Sequence, residues 1–404
     1  MCIRDRNIVI IGASHAGIAL ADNLRKDGYQ DKITIIEKLN IIPVEKPPLS
    51  KKFLDDDFSE ENIQLRKNNW FKLNSIELLL NKKVLEIDKD INSIKLETKE
   101  TIHYDFLVIA TGAKANFLPD NLVSVENQST LRNIYDIKKI IKLLIGKKHI
   151  TIVGGGYIGL ELASSLKKGN YEVSVIEMSD RILERVASKQ LSQFFTELHQ
   201  DNGVNIFCND KLQEVIAKDN KFYVKTKFND FETDLVLVGI GVSPEIQLAQ
   251  KIGIDCEKGI LVDENYKTSC ENIFSIGDCA LNKNEYGIII ESIHHAQFSA
   301  SRVSSFILGK PKPVFENPWF WSDQFNIKFQ SVGIYKPNSI TIHRQGKREG
   351  SHSWWSFINN ELKCVEAVND VQAFTIAKMI FERNIFISQE QIKNKSLNLK
   401  ELIQ

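Results

Sequence analysis

Two glycine-rich turns are the segments of this 404-residue chain whose residue types and spacing point most directly to chemistry. One is GASHAG, which begins at Gly12, and the other is GGGYIG, which begins at Gly154. In such a turn the first glycine allows a tight bend, the second lets the backbone approach a pyrophosphate, and the third permits close helix packing. The phosphates then lie at a helix N-terminus, where free N–H groups favour negative charge. The chain is therefore predicted to bind two dinucleotides.

The two turns are not equally complete. The second has all three glycines, at Gly154, Gly156 and Gly159. The first keeps its outer glycines, but Ser14 occupies the middle position. A serine side chain is small enough to be accommodated there, and its hydroxyl is able to donate to a phosphate. The second turn is accordingly the stronger signal for a nucleotide site.

Each turn is flanked by the elements that such a site needs. The apolar runs Ile8 to Ile11 and Ile150 to Val153 predict the strand before each turn. Roughly twenty residues later a second apolar run ends in an acid, Glu37 in the first unit and Glu177 in the second, and such an acid accepts hydrogen bonds from ribose hydroxyls. Because strand, glycines, helix, strand and acid follow one another in this order twice, packing alone is a poor explanation of the turns.

The acid of the second unit also predicts which nicotinamide nucleotide is preferred. A carboxylate at Glu177 that faces the extra 2′-phosphate of NADPH would make a like-charge contact, which costs on the order of several kcal/mol. We therefore expect NADH to be the preferred nucleotide at the Gly154 turn.

Length, charge and hydropathy narrow the class of protein. A chain of 404 residues is expected to form two or three domains. Its 52 basic and 52 acidic residues cancel, which does not favour nucleic acid as a partner. The apolar stretches are shorter than the roughly 20 residues of a membrane span, and no signal-peptide pattern opens the chain. We expect a cytoplasmic protein without a membrane partner, and we assign no role to Met1 to Arg6.

The six cysteines argue against several kinds of site. They form no CxxC or CxxxxC pair, and none lies between Gly17 and His199. A flavin disulfide reductase needs two close cysteines soon after its first nucleotide unit, and the same gap excludes a single redox cysteine from that region. Metal-ligand spacing is also missing. The adjacent residues His294 and His295 are interpreted as a helix-start or flavin-edge feature, so no metal site is predicted.

Further apolar runs outline the rest of the fold. Strands are predicted at Phe106 to Ala110, within Asp234 to Gly241, and at Ile273 to Ile276 before the sequence GDCA. From Trp319 onward the chain is more aromatic, and we interpret this part as a separate α+β domain. Its predicted elements are strands in Asn326 to Ile334 and Cys364 to Val368 and a helix in Val371 to Arg383.

Several longer strings carry a resemblance that covers essentially the whole chain. In order along the chain they are KPPLSK at Lys46, ATGA at Ala110, GGGYIGLELA at Gly154, GIGVSP at Gly239, GDCA at Gly277 and PWFWSDQ at Pro318. Together they resemble the pyridine-nucleotide-dependent flavoprotein reductases that serve ferredoxins and rubredoxins, in particular the NADH-dependent reductases of the putidaredoxin reductase type. One departure is Lys46, which stands where relatives commonly have an arginine.

The resemblance implies a fold and a domain division. The fold is α/β, of the glutathione-reductase-like two-dinucleotide-binding kind, with FAD and NAD Rossmann-like domains and a C-terminal α+β domain. The expected domains are a discontinuous FAD-binding domain at residues 7–115 and 245–318, an NADH-binding domain at residues 116–244, and a C-terminal domain at residues 319–404 that covers the flavin.

The resemblance also implies which residues hold FAD. Ala16 with the Gly12 turn would hold the pyrophosphate, Glu37 and Lys38 would lie at the adenosine ribose, and Asp278 would accept from the ribityl hydroxyls. Val84 is assigned to the adenine side, Arg132 to the phosphates or ribityl region, and Ile293 to the isoalloxazine. The full expected set is Gly12, Ser14, Ala16, Gly17, Glu37, Lys38, Lys51, Val84, Ala110, Thr111, Gly112, Arg132, Gly277, Asp278, Ile293 and Trp321.

For NADH, the resemblance implies Gly154, Gly156, Tyr157, Ile158, Gly159, Glu161, Glu177 and Gly241. The expected catalytic residues are Lys51, beside flavin N5, and Glu161, next to it. Both have simpler explanations, because Lys51 is compatible with a solvated loop cation and Glu161 with an acid near a helix N-terminus. Trp319 and Trp321 are equally compatible with interface packing, and the roles of Asp323 and Gln324 stay open.

The implied activity is that of an NADH-dependent ferredoxin reductase. A hydride would pass from NADH to FAD, and single electrons would leave to a small iron–sulfur carrier, a [2Fe–2S] ferredoxin that feeds a P450 or Rieske oxygenase. The protein would be a monomer or a homodimer. Candidates for a basic docking rim are Lys328, Arg344, Lys347 and Arg348. Two alternatives stay open: a rubredoxin as the carrier, and an NADH-sensing FAD protein of the apoptosis-inducing-factor type.

Overall fold

The structure is a computed structural model that describes residues 6–219 and 221–403. The chain forms two compact units. The first unit contains the residues up to Glu45, Ser59–Lys114 and Val242–Phe315, and the second contains Lys46–Phe58, Ala115–Gly241 and the residues from Glu316 onward. The short segment Lys46–Phe58, which the predicted division places in the FAD-binding domain, belongs here to the second unit, and the three-domain division stays a prediction.

The helices follow one another in chain order as α1 (His15–Lys26), α2 (Pro47–Lys51), α3 (Asn68–Leu73), α4 (Ile134–Leu144), α5 (Tyr157–Lys168), α6 (Lys189–Asp201), α7 (Gln247–Lys251), α8 (Ile293–Ile307), α9 (Val371–Glu382) and α10 (Gln389–Lys393). Short 3₁₀ segments lie at Val125–Asn127, Gly277–Cys279 and Leu399–Ile403. No helix of the described residues is both long enough and apolar enough to cross a membrane.

A five-stranded parallel sheet organises the first unit. Its strands lie in the order Ile273–Ser275, Phe106–Ile109, Ile8–Ile11, Ile33–Ile36 and Ile76–Leu79. The central strands are apolar except for Thr34, and they are largely buried because a parallel sheet is covered on both faces. The strands that the apolar runs predict are therefore present, with ends that differ by about one residue.

The second unit contains a parallel sheet with the same arrangement around its own glycine turn. Its order is Val204–Phe207, Glu172–Ile176, His149–Val153, Leu235–Val238 and Ser129–Thr130. In both sheets the strand before the turn lies between the strand that ends in the acid and a later apolar strand, which is the strand order of a dinucleotide-binding unit.

A five-stranded antiparallel sheet completes the second unit, in the order Trp319–Gln324, Ile327–Gly333, Glu361–Val368, His352–Ile358 and Ile340–Gln345. Helix α9 packs on one face, where Trp355 and Val365 meet Ile376 and Ile380 in one apolar cluster. The predicted α+β character of this region is confirmed, since both predicted strands and the predicted helix are present.

The remaining strands form smaller sheets of two or three strands. The first unit has an antiparallel sheet of Val84–Asp88, Ser93–Leu96 and Thr101–His103 and a pair of Ile260–Leu261 and Ala280–Leu281. The second has an antiparallel sheet of Leu212–Lys218, Lys221–Thr226 and Asp230–Thr233. Two further strands are Ala113–Ala115 and Val242–Pro244.

Candidate functional site

The first glycine turn has the geometry that a close approach to phosphate requires. Gly12 has φ +111°, a conformation that L side chains rarely adopt, and a Cβ there would lie 2.2 Å from the carbonyl oxygen of Ala110. A Cβ on Gly17 would lie 2.0 Å from the carbonyl oxygen of Gly12. Because both collisions are with backbone, which cannot rotate away, only glycine fits at these two positions.

The second turn repeats this geometry. Gly154 has φ +112°, and a Cβ there would lie 2.4 Å from the carbonyl oxygen of Gly239. A Cβ on Gly159 would lie 2.1 Å from the carbonyl oxygen of Gly154. The outer glycines of both turns are therefore needed for strand-to-helix packing.

The helix that follows each turn begins with its N-terminal groups free of side-chain caps. The N-cap residues, Ser14 of α1 and Gly156 of α5, are in extended conformation, and neither helix has a side-chain cap hydrogen bond or an acid in its first turn. A Cβ on Gly156 would have no atom within 4 Å. N–H groups without side-chain caps suit a pyrophosphate at both turns, and the second turn also has open space at Gly156, so the residues present fit a dinucleotide.

Each predicted acid is held against its own turn. Glu37 accepts hydrogen bonds from the backbone N–H groups of Ala13 and Leu39, both at 3.0 Å. Glu177 accepts from the backbone of Gly155 and Ser179, both at 2.8 Å. The carboxylates are thus fixed at the strand ends, where the ribose of a bound dinucleotide lies in this kind of fold.

The first unit brings several predicted FAD residues together. The carbonyl of Ala110 lies against Gly12, and the Cβ of Ala16 is 3.0 Å from where a Cβ of Gly277 would be. Gly277 has φ +71° and begins the 3₁₀ segment that contains Asp278. The first turn, the strand-end alanine and the GDCA sequence therefore lie side by side.

The other predicted residues of the first unit lie in several environments. Lys38 pairs with Glu245, with 2.9 Å between Nζ and Oε1, and Thr111 donates to the carbonyl of Glu245 at 2.7 Å. Val84 is buried in the apolar core. Gly112 has φ +68°, and Ile293 is the first residue of α8. Their contacts with FAD stay predictions.

Three of the residues assigned to FAD belong to the second unit. They are Lys51 in α2, Arg132 in the loop before α4, and Trp321 in the antiparallel sheet. The Trp321 ring packs against Trp319, with centroids 5.5 Å apart. The backbone N–H of Arg132 donates to Asp136 at 2.8 Å, which helps to hold the start of α4.

The predicted NADH residues surround the second turn. Tyr157 is the first residue of α5, and its ring packs on Phe320 and Phe329 with centroids 4.6 Å and 5.7 Å away. Ile158 is 45% exposed beside the turn, and Gly241 has φ +92° at the end of the neighbouring strand. The Tyr157 side chain is therefore used in packing, and its contact with NADH stays a prediction.

The two predicted catalytic residues form a largely buried ion pair in the second unit. Lys51 Nζ lies 2.8 Å from Glu161 Oε2, and the two side chains are 15% and 1% exposed. Lys51 ends the short helix α2, whose first residues are prolines, a favoured composition for a helix start. Ser165 of α5 anchors this end by donating to the carbonyls of Ser50 and Lys51. Lys51 is therefore not a solvated loop cation.

Glu161 has further partners that the sequence did not indicate. The hydroxyls of Ser50 and Ser322 each donate to its carboxylate at 2.5 Å. Gln324, whose role the sequence leaves open, is buried and donates to Ser322. The alternation of WFWSDQ was the only available signal, because it places residues 322 and 324 on one face of a strand.

The adjacent histidines are a helix-start feature, as predicted. Ser292 caps α8 by accepting from the backbone N–H of His295, whose ring Nε2 is 2.9 Å from the hydroxyl of Tyr266. Burial lowers the pKa of His295 to about 4, so its ring is neutral near pH 7. Within the described ranges no three His, Cys, Asp or Glu side chains are grouped as metal ligands.

One candidate of the docking rim is wrong. Arg344 is buried, and its guanidinium donates to the backbone carbonyls of Ile392, Asn394 and Leu397, where it holds the C-terminal segment. A guanidinium used in this way is not available to a partner protein. The other candidates, Lys328, Lys347 and Arg348, are exposed.

Comparisons with known proteins cover almost the whole chain. Residues 6–300 match the family described as pyridine nucleotide-disulphide oxidoreductase, and residues 319–403 match the family described as reductase C-terminal. Rhodocoxin reductase of Rhodococcus erythropolis is 32% identical over 399 residues, which are 98% of this chain and 93% of that protein.

Two solved structures share the fold along the full length. The ferredoxin reductase for the CYP199A2 system from Rhodopseudomonas palustris has a TM-score of 0.94 at 30% identity and covers 99% of this chain and 100% of its own. The reductase in a covalent putidaredoxin reductase–putidaredoxin complex has a TM-score of 0.93 at 30% identity and covers 99% of this chain and 98% of its own.

Proposed function

The chain belongs to the pyridine nucleotide-disulphide oxidoreductase family, and from that membership we propose that it is an NADH-dependent reductase of a small iron–sulfur protein. It is a flavoprotein oxidoreductase that uses FAD and NAD(P)H. The observation that carries the proposal is the presence of two dinucleotide turns, each with both outer glycines in place, in a sequence that has no closely spaced cysteine pair. With no internal dithiol to accept two electrons, the electrons need an external acceptor.

The proposed roles of the site residues are to bind and orient the two nucleotides. FAD, when bound, accepts a hydride equivalent from NADH and releases electrons one at a time. The Gly12 turn, Glu37 and Asp278 would hold FAD, and the Gly154 turn and Glu177 would hold NADH. The fixed carboxylate of Glu177 disfavours the additional phosphate of NADPH, which supports a preference for NADH.

The buried pair of Lys51 and Glu161 is the proposed catalytic element. The positive charge of Lys51 would stabilise the electron-rich flavin, and Glu161 would hold that charge in place and help to aim the nicotinamide. Because both side chains are largely withdrawn from water, their field acts more strongly than that of an exposed pair.

The proposed partner is a small acidic [2Fe–2S] ferredoxin. The names of the relatives support this, since one is a reductase of rhodocoxin and another was solved in complex with putidaredoxin. Lys328, Lys347 and Arg348 are the remaining candidates for a basic docking rim. A cytoplasmic location and a P450 or Rieske oxygenase as the final consumer belong to the same proposal.

Stopped-flow absorbance on the FAD-loaded protein tests the function. NADH is expected to bleach the flavin absorbance by reducing it. A [2Fe–2S] ferredoxin is then expected to reoxidise the flavin and restore the absorbance at a rate that matches steady-state turnover. High salt is expected to slow the ferredoxin step while NADH-to-dye activity is retained, because salt screens the docking charges. If the reduced flavin persists with every carrier tried, rubredoxin included, the reductase proposal is rejected in favour of a sensor of NADH.

A further inference from the structure

Helix α5 contacts the antiparallel sheet along one face. The contacted part of the sheet is the hairpin of strands Trp319–Gln324 and Ile327–Gly333. At the N-terminal end the ring of Tyr157 packs on Phe320, with centroids 4.6 Å apart. Near the other end Ser164 accepts from the backbone N–H of Phe325 at 2.6 Å, and Lys168 donates to the carbonyl of Phe325 at 2.8 Å. These helix positions follow one another at i, i+7 and i+11, which places them in a single stripe. Glu161 lies in the middle of that stripe.

A buried chain of hydrogen bonds runs from this hairpin to Glu161. Ser322 Oγ donates to Glu161 Oε1 at 2.5 Å, and Gln324 Nε2 donates to Ser322 Oγ at 3.1 Å. Gln324 Oε1 lies 2.8 Å from Nε2 of His199, which belongs to α6. All four side chains are at most 1% exposed. The chain therefore links two helices through the strand Trp319–Gln324.

The hydrogen bonds between His199, Gln324, Ser322 and Glu161 all run in one direction, from donor to acceptor. The amide nitrogen of Gln324 faces Ser322, so its carbonyl faces His199, and the histidine must donate from Nε2. The hydroxyl of Ser322 accepts from the amide and donates to the carboxylate. Every donor in the sequence His199, Gln324, Ser322 thus points toward Glu161, and aligned hydrogen bonds of this kind reinforce one another.

The carboxylate is also held from the opposite side. Ser50 Oγ donates to Oε2 at 2.5 Å, and Lys51 Nζ lies 2.8 Å from the same atom. A carboxylate that is withdrawn from water is stable as an anion only when its oxygens accept hydrogen bonds or pair with a cation. Oε2 receives both a cation and a hydroxyl, whereas Oε1 receives the hydroxyl of Ser322.

We propose that Ser322, Gln324 and His199 are positioning residues that hold Glu161 as an oriented anion and, through it, fix the ammonium group of Lys51. The inference rests on the proposed function, in which Lys51 and Glu161 act on the flavin and nicotinamide rings. Ser322 acts directly on the carboxylate, Gln324 orients Ser322, and His199 determines which way the Gln324 amide faces.

The titratable groups around Glu161 lie on several elements, and they include Glu366 of the antiparallel sheet, which acts on Tyr157 of α5 and whose pKa burial raises to about 7. Lys51 approaches from α2 and His199 from α6, while the strand Trp319–Gln324 presents only neutral groups, because Asp323 is exposed and adjacent strand residues point to opposite faces. Burial lowers the pKa of His199 to about 4, and desolvation raises the pKa of Tyr157, which is on the same helix as Glu161, well above its usual value. Both rings are therefore neutral near pH 7.

The test is the profile of flavin-reduction rate against NADH concentration in the FAD-loaded protein, measured by stopped flow at one pH for wild type, Ser322→Ala, Gln324→Met and Glu161→Gln. The profile separates the limiting rate of reduction from the apparent Kd of NADH. Ser322→Ala leaves Oε1 of the carboxylate without its donor and is expected to lower the limiting rate about tenfold. Gln324→Met is expected to cause a smaller decrease, and Glu161→Gln the largest.

Two further variants separate positioning from a general loss of structure. Ser322→Thr keeps the hydroxyl and is expected to restore the wild-type profile. Ser356→Ala removes an equally buried hydroxyl of the same sheet, which bonds to Thr341 at 2.9 Å, and is expected to leave the profile unchanged. Equilibrium binding of NAD⁺ to the oxidised protein is a readout besides activity, and Ser322→Ala is expected to weaken it several-fold.

The outcomes distinguish this inference from the proposed function. If NADH does not reduce the wild-type flavin, the function itself fails. If wild type and Glu161→Gln behave as described but the profiles of Ser322→Ala and Gln324→Met coincide with wild type, the positioning chain is overturned. Where Ser322→Ala does not fold, Gln324→Met, which leaves the Ser322 hydroxyl in place, decides the question.

Discussion

The two dinucleotide turns are nearly identical in backbone geometry, whereas the helices that follow them differ in the side chains they bury. Gly12 and Gly154 have φ of +111° and +112°, and in both turns an added Cβ would meet the carbonyl of a neighbouring strand end. Glu37 and Glu177 accept backbone hydrogen bonds in the same way. The shared geometry reflects a shared task, which is to hold a pyrophosphate and a ribose.

The difference lies four to five residues into each helix. Helix α1 packs against α8 with mostly apolar residues such as Ile18 and Leu20. Helix α5 carries Glu161, which is buried and pairs with Lys51. The position of α1 that matches Glu161 is Ala19, which packs against the apolar core, so only α5 has a buried charge pair at this point of the helix. Binding geometry is duplicated in this chain, and the candidate catalytic charge is confined to one copy.

Substitution of the first glycines tests whether the turns serve different nucleotides, and it has the largest expected effect. Gly12→Ala is expected to yield protein without flavin, because its Cβ would lie 2.2 Å from a carbonyl oxygen. Gly154→Ala is expected to keep FAD but to slow reduction by NADH by about 100-fold or more. Visible absorbance reports bound flavin, and stopped flow reports reduction.

The control for these variants is Gly156→Ala. Its φ of −81° suits any residue, and a Cβ there would meet no atom within 4 Å, so the fold and the flavin content should not change. Loss of flavin from Gly154→Ala, with Gly12→Ala still yellow, would reverse the assignment of the two turns.

Substitution of the two strand-end acids, Glu37 and Glu177, is expected to have an effect of intermediate size. Glu177 is expected to select between NADH and NADPH, and Glu37 to retain FAD. Glu177→Gln removes the charge that opposes the 2′-phosphate of NADPH, and it should raise the ratio of kcat/KM for NADPH over NADH about tenfold. Glu37→Gln should leave this ratio unchanged and weaken FAD retention instead. Equal kcat/KM for both nucleotides in the wild type would contradict the role given to Glu177.

The smallest expected effects concern two buried histidines, one in each unit, whose rings are neutral near pH 7. Burial lowers the pKa of His199 in the second unit and of His295 in the first to about 4. Below pH 6.5 the unfolded chain binds more protons than the folded chain, so stability falls as the pH drops from 6.5 toward 4. At pH 5 each histidine should cost on the order of 2 kcal/mol of unfolding free energy.

Urea unfolding at pH 7, 6 and 5, roughly spanning the ordinary histidine pKa, measures this contribution. His199→Gln and His295→Gln should each flatten the pH dependence, whatever they do to stability at pH 7. His103→Gln is the matched control, because this histidine is exposed. An unchanged slope in either buried variant would show that its ring is already charged in the folded protein.

The turns and their acids were predictable because each unit is continuous in sequence. Strand, glycines, helix, second strand and acid occur within about thirty residues, so their order alone specifies which groups meet. The same holds for the antiparallel sheet, where alternation and aromatic content indicated the strands. Arg344 was misassigned because its charge was visible in the sequence, whereas the backbone carbonyls that bind it were not.

The sequence by itself determined that the chain has two dinucleotide turns, an acid for each, and no cysteine pair to receive electrons. Only the tertiary structure decided how Glu161 is held. Ser50 precedes it by 111 residues and Ser322 follows it by 161, and His199 and Gln324 are 125 residues apart. Contacts across such separations leave no periodic pattern in the chain, because they depend on which faces of a helix, a strand and a second helix the completed fold turns toward one another.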